Sequence, residues 1–197
     1  FADGSSLSGQ IDGAGGSDSV DYSAVTGAVS VVLGSTVTGI ESITGNDTNS
    51  ALSNGVIWSI TGTNDGTVDT IAFVNFNNVT GSASNDSFDL AGGTVTGTVD
   101  GAGGMGDTLT GDDVVNSFVV TSTNSGTATG TGGFSNIENL TGGSNTDTFT
   151  FADGSSLSGQ IDGAGGSDSV DYSAVTGAVS VVLGSTVTGI ESITGNN

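Results

Sequence analysis

Apolar side chains recur along this chain as short alternating runs set between small polar residues, and a period of two predicts half-buried strands. Between Ser19 and Leu33 the apolar residues are Val20, Val25, Val29, Val31 and Leu33, the last three alternating and Val32 breaking the pattern. Val37, Ile40 and Ile43 follow in a Thr-rich and Gly-rich setting that disfavours helix. Val56, Trp58 and Ile60 alternate, and Ile71 with Phe73 resume the pattern after a turn at Asn64, Asp65 and Gly66. Ser117 to Val120 is strand-like. Thr121 to Gly133 contains Ala128 as its one apolar side chain and reads as an outward loop or a thin coil, after which Phe134, Ile137 and Leu140 restore the pattern.

The pattern is periodic on a larger scale. Residues 1–46 are identical to residues 151–196, which sets a period of 150 residues, and Asn197 departs from its counterpart Asp47. The stretch IDGAGGSDSVDY stands at Ile11 to Tyr22 and again at Ile161 to Tyr172. Within the unit, Asn85 to Leu90 (NDSFDL) matches Thr146 to Phe151 (TDTFTF), and each leads to a DGAGG segment, at Asp100 to Gly104 and Asp162 to Gly166. A tripeptide of an apolar residue, Thr or Ser, and Gly recurs at Leu7, Val25, Ile43, Ile60, Val79, Val95, Leu109, Leu140, Leu157, Val175 and Ile193. Most of its gaps lie near 18 residues, and the gap of 31 from Leu109 to Leu140 is expected to cover two coils. Units that short cannot bury a core alone, whereas stacked copies share one.

The expected fold is all-β: a right-handed parallel β-solenoid (β-helix) with about 18–21 residues per coil and Gly, Asn or Asp at its corners. A unit would hold about seven or eight coils and advance roughly 35–40 Å at about 4.8 Å per strand. Residues 1–150 form one tandem repeat and 151–197 begin the next, in one continuous solenoid without linkers, a piece of a longer array.

Composition narrows the chemistry. There are 21 acidic residues and no Lys, Arg or His, a net charge of −21. No surface salt bridge forms, self-repulsion opposes folding, and the charge disfavours nucleic acid and anionic membrane surfaces as partners. A cation is the natural counterpart. Without His or Cys, the usual nucleophile and base pairs and the ligands that select zinc or copper are missing, which leaves hard oxygen donors. Low hydrophobicity with high charge ordinarily means disorder. Here the apolar 34% is regularly spaced and Pro is absent, which favours a folded chain. The 36 Gly, the abundant Ser, Thr, Asn and Asp and the lack of cationic residues suit a secreted or cell-surface bacterial protein. No apolar run of about 18 residues is present, so no membrane insertion is expected of this segment.

The acidic glycine stretches match the nonapeptide G-G-x-G-x-D-x-U-x. Gly163 to Asp171 fits with Ala164 at the second position, and Gly142 to Thr150 fits with Asn145 at the fourth. Gly81 to Asp89 is weaker but keeps Asp86 and Phe88, and an extra residue displaces Asp107 in Gly101 to Leu109. These stretches resemble bacterial repeats-in-toxin sequences. NIENLTGGSNTDTF and IDGAGGSDSVDYS resemble giant repetitive surface proteins and haemagglutinin-like adhesins. The resemblance covers essentially the whole chain. It implies Ca2+ held by turn carbonyls and Asp side chains, here Asp18, Asp86, Asp107, Asp147 and Asp168, in an array that folds on export. Asp86 and Asp107 are 21 residues apart, as are Asp147 and Asp168, so each pair is expected at one corner of adjacent coils. Calcium takes six to eight oxygens, which paired acidic turns supply. The competing reading is Gly-Asp turn chemistry with solvated carboxylates.

The remaining constellations have structural readings. Asn78, Asn136 and Asn139 are candidates for stacked amides, and Trp58, Tyr22 and the eight Phe for core stacks. Asp112 and Asp113 are adjacent carboxylates with no other sign of a catalytic pocket. The function expected is an extracellular filament or stalk for attachment, spacing or cell-cell contact, with further copies of its own repeat as partners end to end and side by side. The alternatives are a calcium-dependent adhesin or S-layer module and, less favoured, ice binding through Thr36 and Thr38, Thr61 and Thr63, Thr94 and Thr96, and Thr127 and Thr129. An enzyme is not expected.

Overall fold

A computed structural model of the chain describes residues 1–5 and 7–196, so Asn197 lies outside the described residues. All regular structure within them is β. In chain order the strands are β1 (Ile11–Asp12), β2 (Ser19–Asp21), β3 (Ser30–Val32), β4 (Val37–Thr38), β5 (Ser42–Thr44), β6 (Ala51–Ser53), β7 (Ile57–Gly62), β8 (Asp65–Val68), β9 (Ile71–Val74), β10 (Asn78–Thr80) and β11 (Ser87–Asp89). They continue as β12 (Val95–Asp100), β13 (Thr108–Thr110), β14 (Ser117–Ser122), β15 (Ser125–Ala128), β16 (Thr131–Ser135), β17 (Asn139–Thr141), β18 (Thr148–Phe151), β19 (Ile161–Asp162), β20 (Ser169–Asp171), β21 (Val187–Thr188) and β22 (Ser192–Thr194).

Two ten-stranded sheets hold twenty of these, in the orders β2-β5-β9-β8-β7-β11-β13-β17-β19-β21 (sheet I) and β3-β6-β10-β12-β16-β15-β14-β18-β20-β22 (sheet II), while β1 pairs with β4. The chain passes from one sheet to the other and back, and most pairings are parallel, an arrangement compatible with a β-helix or solenoid. The three-residue strands other than the last, β22, bury a central apolar residue and turn its neighbours outward, as in Ser42-Ile43-Thr44 and Asn78-Val79-Thr80. Parallel register stacks these central residues into columns: Val20, Ile43 and Phe73 in sheet I continue beyond the β8 crossing as Trp58, Phe88, Leu109, Leu140 and Ile161. The expected aromatic stacks are present, with ring centroids 5.8 Å apart for Trp58 and Phe88 and 4.8 Å for Phe118 and Phe149.

The step between stacked strands is less regular than the sequence suggested. It is 20 residues from Val79 to Val99 and 21 from Phe88 to Leu109, but 23 from Val20 to Ile43, 26 from Ile11 to Val37 and 35 from Val99 to Phe134. The recurring tripeptide does not mark this step, because Ile43 and Ile60 lie on sheet I while Val79 and Val95 lie on sheet II. Leu109 and Leu140 are direct register partners, so the gap of 31 residues is one step and not two.

The extra length is taken up by two antiparallel meanders. β7, β8 and β9 form one in sheet I, and β14, β15 and β16 form its counterpart in sheet II. In each, the chain runs ahead to the far strand and returns, so β9 pairs with the earlier β5 and β7 with the later β11. Thr121 to Gly133 is therefore neither an outward loop nor a thin coil: β15 is a middle strand, and β16 starts at Thr131.

The two identical stretches serve as internal controls for packing. Leu33 is 4% exposed and Leu183, the same residue one period on, is 68% exposed. Ser30–Val32 forms β3 against β6, whereas residues 180–182, with no strand beyond them to pair with, are not extended into a ladder. At the other end the order reverses, Phe1 being 40% exposed and Phe151 4%. Burying a side chain of this size contributes about 1.5–3 kcal/mol, so each level is stabilised by the level stacked on it.

Candidate functional site

The position immediately before a strand carries an acid or an amide in many levels, and this arises from the turn that precedes it. Asp86, Asp107 and Glu138 stand before β11, β13 and β17 of sheet I, and Asn116, Asp147, Asp168 and Glu191 before β14, β18, β20 and β22 of sheet II. Asp18 and Glu41 stand before β2 and β5. Parallel register then stacks each of these residues on its equivalent one level away.

Six of the stacked carboxylates receive the backbone N–H of the residue stacked before them. The Asp86 N–H donates to Asp107 Oδ1 at 2.7 Å, and the Asp107 N–H to Glu138 Oε2 at 3.0 Å. On the opposite sheet the Asn116 N–H donates to Asp147 Oδ1 at 2.7 Å, the Asp147 N–H to Asp168 Oδ1 at 2.7 Å, and the Asp168 N–H to Glu191 Oε2 at 2.6 Å. Asp18 repeats the last contact, donating to Glu41 Oε2 at 2.7 Å. The two Asp pairs expected on adjacent levels are thus brought together, and Asp18 is joined to Glu41. Two of the acids also fold their own turns: Asp86 Oδ2 accepts the Ser82 N–H at 2.8 Å and Asp147 Oδ2 the Gly143 N–H at 2.7 Å.

Glycine makes room for this arrangement. Gly13, Gly81, Gly142 and Gly163 each stand five residues before the acid, and Gly101 six before Asp107. A Cβ on Gly163 would lie 2.6 Å from Asp168 Oδ2 and run into the Gly189 carbonyl; one on Gly142 would strike Asp147 Oδ2 and the Gly163 carbonyl. The glycines of the nonapeptide pattern are needed here because carboxylate and carbonyl occupy the space of a side chain.

The environment is unfavourable for charge. Asp86, Asp107, Asp147 and Asp168 are buried. Burial pushes the Asp107 carboxyl above its ordinary value, aided by the negative Glu138, Asp86 and Asp100 and opposed by the Asp86 N–H. Burial raises Asp168 likewise, with Asp147, Glu191 and Asp162 adding to it, and raises Asp86 against the Ser82 hydrogen bonds. The Oδ2 atoms of Asp18, Asp107 and Asp168 are buried without a hydrogen-bond partner. Among the described residues no group of three or more acidic side chains converges as a metal cage, and in Asp86, Asp107, Asp147 and Asp168 at least one carboxylate oxygen is already taken by a backbone N–H. These columns do not by themselves form a complete calcium shell, and the unpartnered Oδ2 atoms are what they leave available to a cation or a proton.

Several positions outside the glycine-rich motifs belong to this network. Asn64 and Asn124, at the tips of the two meanders, adopt positive φ of 60° and 53°. Asn64 donates to Asp47 Oδ1 at 2.7 Å and accepts the Thr96 N–H at 2.8 Å. Asn124 donates to Glu138 Oε1 at 2.8 Å and accepts the Ser158 N–H at 2.9 Å. Glu138 therefore ties an acid column of sheet I to the meander of sheet II. The signal was present in the repeated I-E-[SN]-[IL]-T-G at Ile40 to Gly45, Ile137 to Gly142 and Ile190 to Gly195.

The other candidates are placed less suggestively. Asn78 accepts the Thr98 N–H at 3.0 Å, Asn139 the Gln160 N–H at 2.9 Å, and Asn136 donates to Asp100 Oδ1 at 2.8 Å, so they bridge levels without stacking on one another. Asp112 and Asp113 border a groove with Asp89, whose carboxyl is raised by burial and by those two neighbours. Register sets Thr63 beside Thr94, but Thr38 beside Asp12 and Thr127 beside Val119, so the four Thr pairs are not gathered into one array. Neither a protein-family model, nor a curated protein, nor a solved structure matches the chain.

Proposed function

We propose that this chain is a structural module: a right-handed parallel β-solenoid whose tandem 150-residue units stack into an extracellular filament or stalk for bacterial surface attachment, spacing or cell-cell contact. The supporting observation is the contrast between the identical copies. Leu33 is covered by the level stacked on it and Leu183, without such a level, is bare, which supports a stack in which one level buries the apolar face of the next. Backbone ladders and stacked apolar columns give the filament its stiffness, and the acidic surface keeps it dispersed. Its partners are further copies of itself, end to end and side by side; nucleic acid and membrane insertion have no part in this reading, and neither does a reaction. Arrays of one, two and three units test it. Particle length by small-angle scattering should grow by roughly 40 Å per unit, from about eight strand spacings of about 4.8 Å each. Compact particles whose length does not follow unit number would overturn the reading.

The unpartnered Oδ2 atoms of Asp18, Asp107 and Asp168 favour a second reading, a calcium-dependent adhesin or S-layer module. Circular dichroism and melting in calcium and then in chelator decide between them. Loss of β-structure on chelation makes the acid columns folding sites. An unchanged melting curve leaves a metal-independent fibre.

A further inference from the structure

The identical stretches share their turn and stacking contacts but lie on opposite sheets. In both copies the aspartate before the second strand donates to a glutamate, 2.7 Å for Asp18 and Glu41 and 2.6 Å for Asp168 and Glu191. Both stack Phe on Tyr, at 4.8 Å for Phe1 and Tyr22 and 4.7 Å for Phe151 and Tyr172. Yet β2 and β5 belong to sheet I, while their copies β20 and β22 belong to sheet II. β19 and β21, the copies of β1 and β4, lie on sheet I. The cause is a parity. From β2 to β20 the chain crosses between the sheets thirteen times, counting each meander as one visit to its sheet, and an odd number of crossings ends on the other side. The meanders obey the same relation within the unit, β7–β9 being in sheet I and the matching β14–β16 in sheet II.

We infer that successive units present the same surface on opposite sides of the array. Taking the tandem array of the proposed function as given, the sequence repeats after one unit and the structure after two. β2 is the first strand of sheet I and β20 the ninth of sheet II, so a surface feature reappears about eight strand spacings on, roughly 40 Å, facing the other way. On any one side it recurs at about twice that distance. Outward residues of the repeated stretch, such as Asp21 and Thr44 on sheet I and Asp171 and Thr194 on sheet II, make the two sides chemically alike. A partner that recognises one unit is therefore held alternately on both sides, and the array bridges two bodies instead of coating one.

The chain has no Cys, so paired thiols map the sides directly. Thr44 and Val74 are register partners on sheet I, Thr150 and Asp171 on sheet II, and Thr141 of sheet I is the residue that Asp171 would meet if the copies shared a side. A fluorogenic reagent that must bridge thiols one strand spacing apart, about 5 Å, should close T44C/V74C and T150C/D171C and leave T141C/D171C open. Bridging of T141C/D171C, or failure of T150C/D171C while T44C/V74C closes, overturns the inference. Failure of both T44C/V74C and T150C/D171C in a folded chain overturns it as well, since the registers it rests on would then be wrong. Because these cross-links read one chain, they stand whether or not arrays prove to be filaments, and the scattering experiment stands whichever side the copies face.

Discussion

Asp107 Oδ1 accepts the backbone N–H of Asp86 across one level of the stack, at 2.7 Å, with both side chains buried and no cationic residue anywhere in the chain to offset them. The carboxylate acts here as an acceptor for its neighbour's backbone, a role an amide oxygen fills without charge. Asp107→Asn is expected to retain or raise stability in chelator, because it keeps the acceptor and removes a like charge. Asp107→Ala strands the Asp86 N–H and should cost about 1–3 kcal/mol. Urea unfolding of the two variants gives the comparison, and equal losses would show that the hydrogen bond is not what the side chain contributes.

Acid should strengthen this fold over part of the pH range. Burial holds the carboxyls of Asp86, Asp107 and Asp168 above the ordinary value of 3.8, so the folded chain binds protons more tightly than the unfolded one. Stability from these groups is full below 3.8 and is lost as pH rises through their folded values. The melting temperature should therefore climb as pH falls from neutrality towards that window. Asp3, Asp21, Asp153 and Asp171 are lowered by hydrogen bonds from Thr26, Ser23, Thr176 and Ser173, and oppose the trend only once pH falls through 3.8 and below. A D86N/D107N/D168N variant should flatten the profile; an unchanged slope would place its origin in general charge repulsion.

Gly142→Ala forces a methyl into the Asp147 carboxylate and the Gly163 carbonyl, and overpacking of this kind costs about 1–3 kcal/mol. Gly177 has nothing within 4 Å of an added Cβ, so Gly177→Ala should stay within about 0.5 kcal/mol. Matched denaturant curves of the two variants separate glycine needed for room from glycine that merely fills a turn.

Glu138 accepts the N–H of Asp107 and the amide of Asn124 at once. Glu138→Ala leaves two donors unpaired and should cost about 2–4 kcal/mol, while Glu138→Gln should cost less. The single Trp58 lies fully buried in the other meander and reports global unfolding by fluorescence. If Glu138→Ala shifts the circular-dichroism transition but not the Trp58 transition, the second meander melts on its own.

The strands with a buried centre were legible in the sequence because one apolar residue between two polar ones is enough to fix which side faces in, as at Ile43 and Val79. The Asp pairs were legible because their spacing of 21 residues equals a step that the stack uses repeatedly, as from Phe88 to Leu109 and from Phe149 to Val170. β15 was not. It is held by pairing on both edges, Gly126 lies against the Val119 carbonyl and the Phe134 ring, and Ala128 alone is apolar, so backbone contacts made it a strand without a side-chain signature. The side on which each copy lies was also hidden, since it depends on the parity of crossings over the whole unit and on no local residue. Glu138 was overlooked because its partners lie 31 residues before it and 14 before it in Asp107 and Asn124, on two different elements.

The meanders also set an order of assembly. β9 is the strand that lies against β5, yet the chain reaches β7 and β8 first. Within the meander Val68 meets Ile71 three residues on and Trp58 ten residues back, far closer in sequence than the partners of the parallel strand pairs, which lie 20 or more residues apart. Such local pairings form fastest. Each meander is thus built to close as a free-standing block and then join the growing end, so the stack lengthens by single strands over most of its course and by three strands at once in two places.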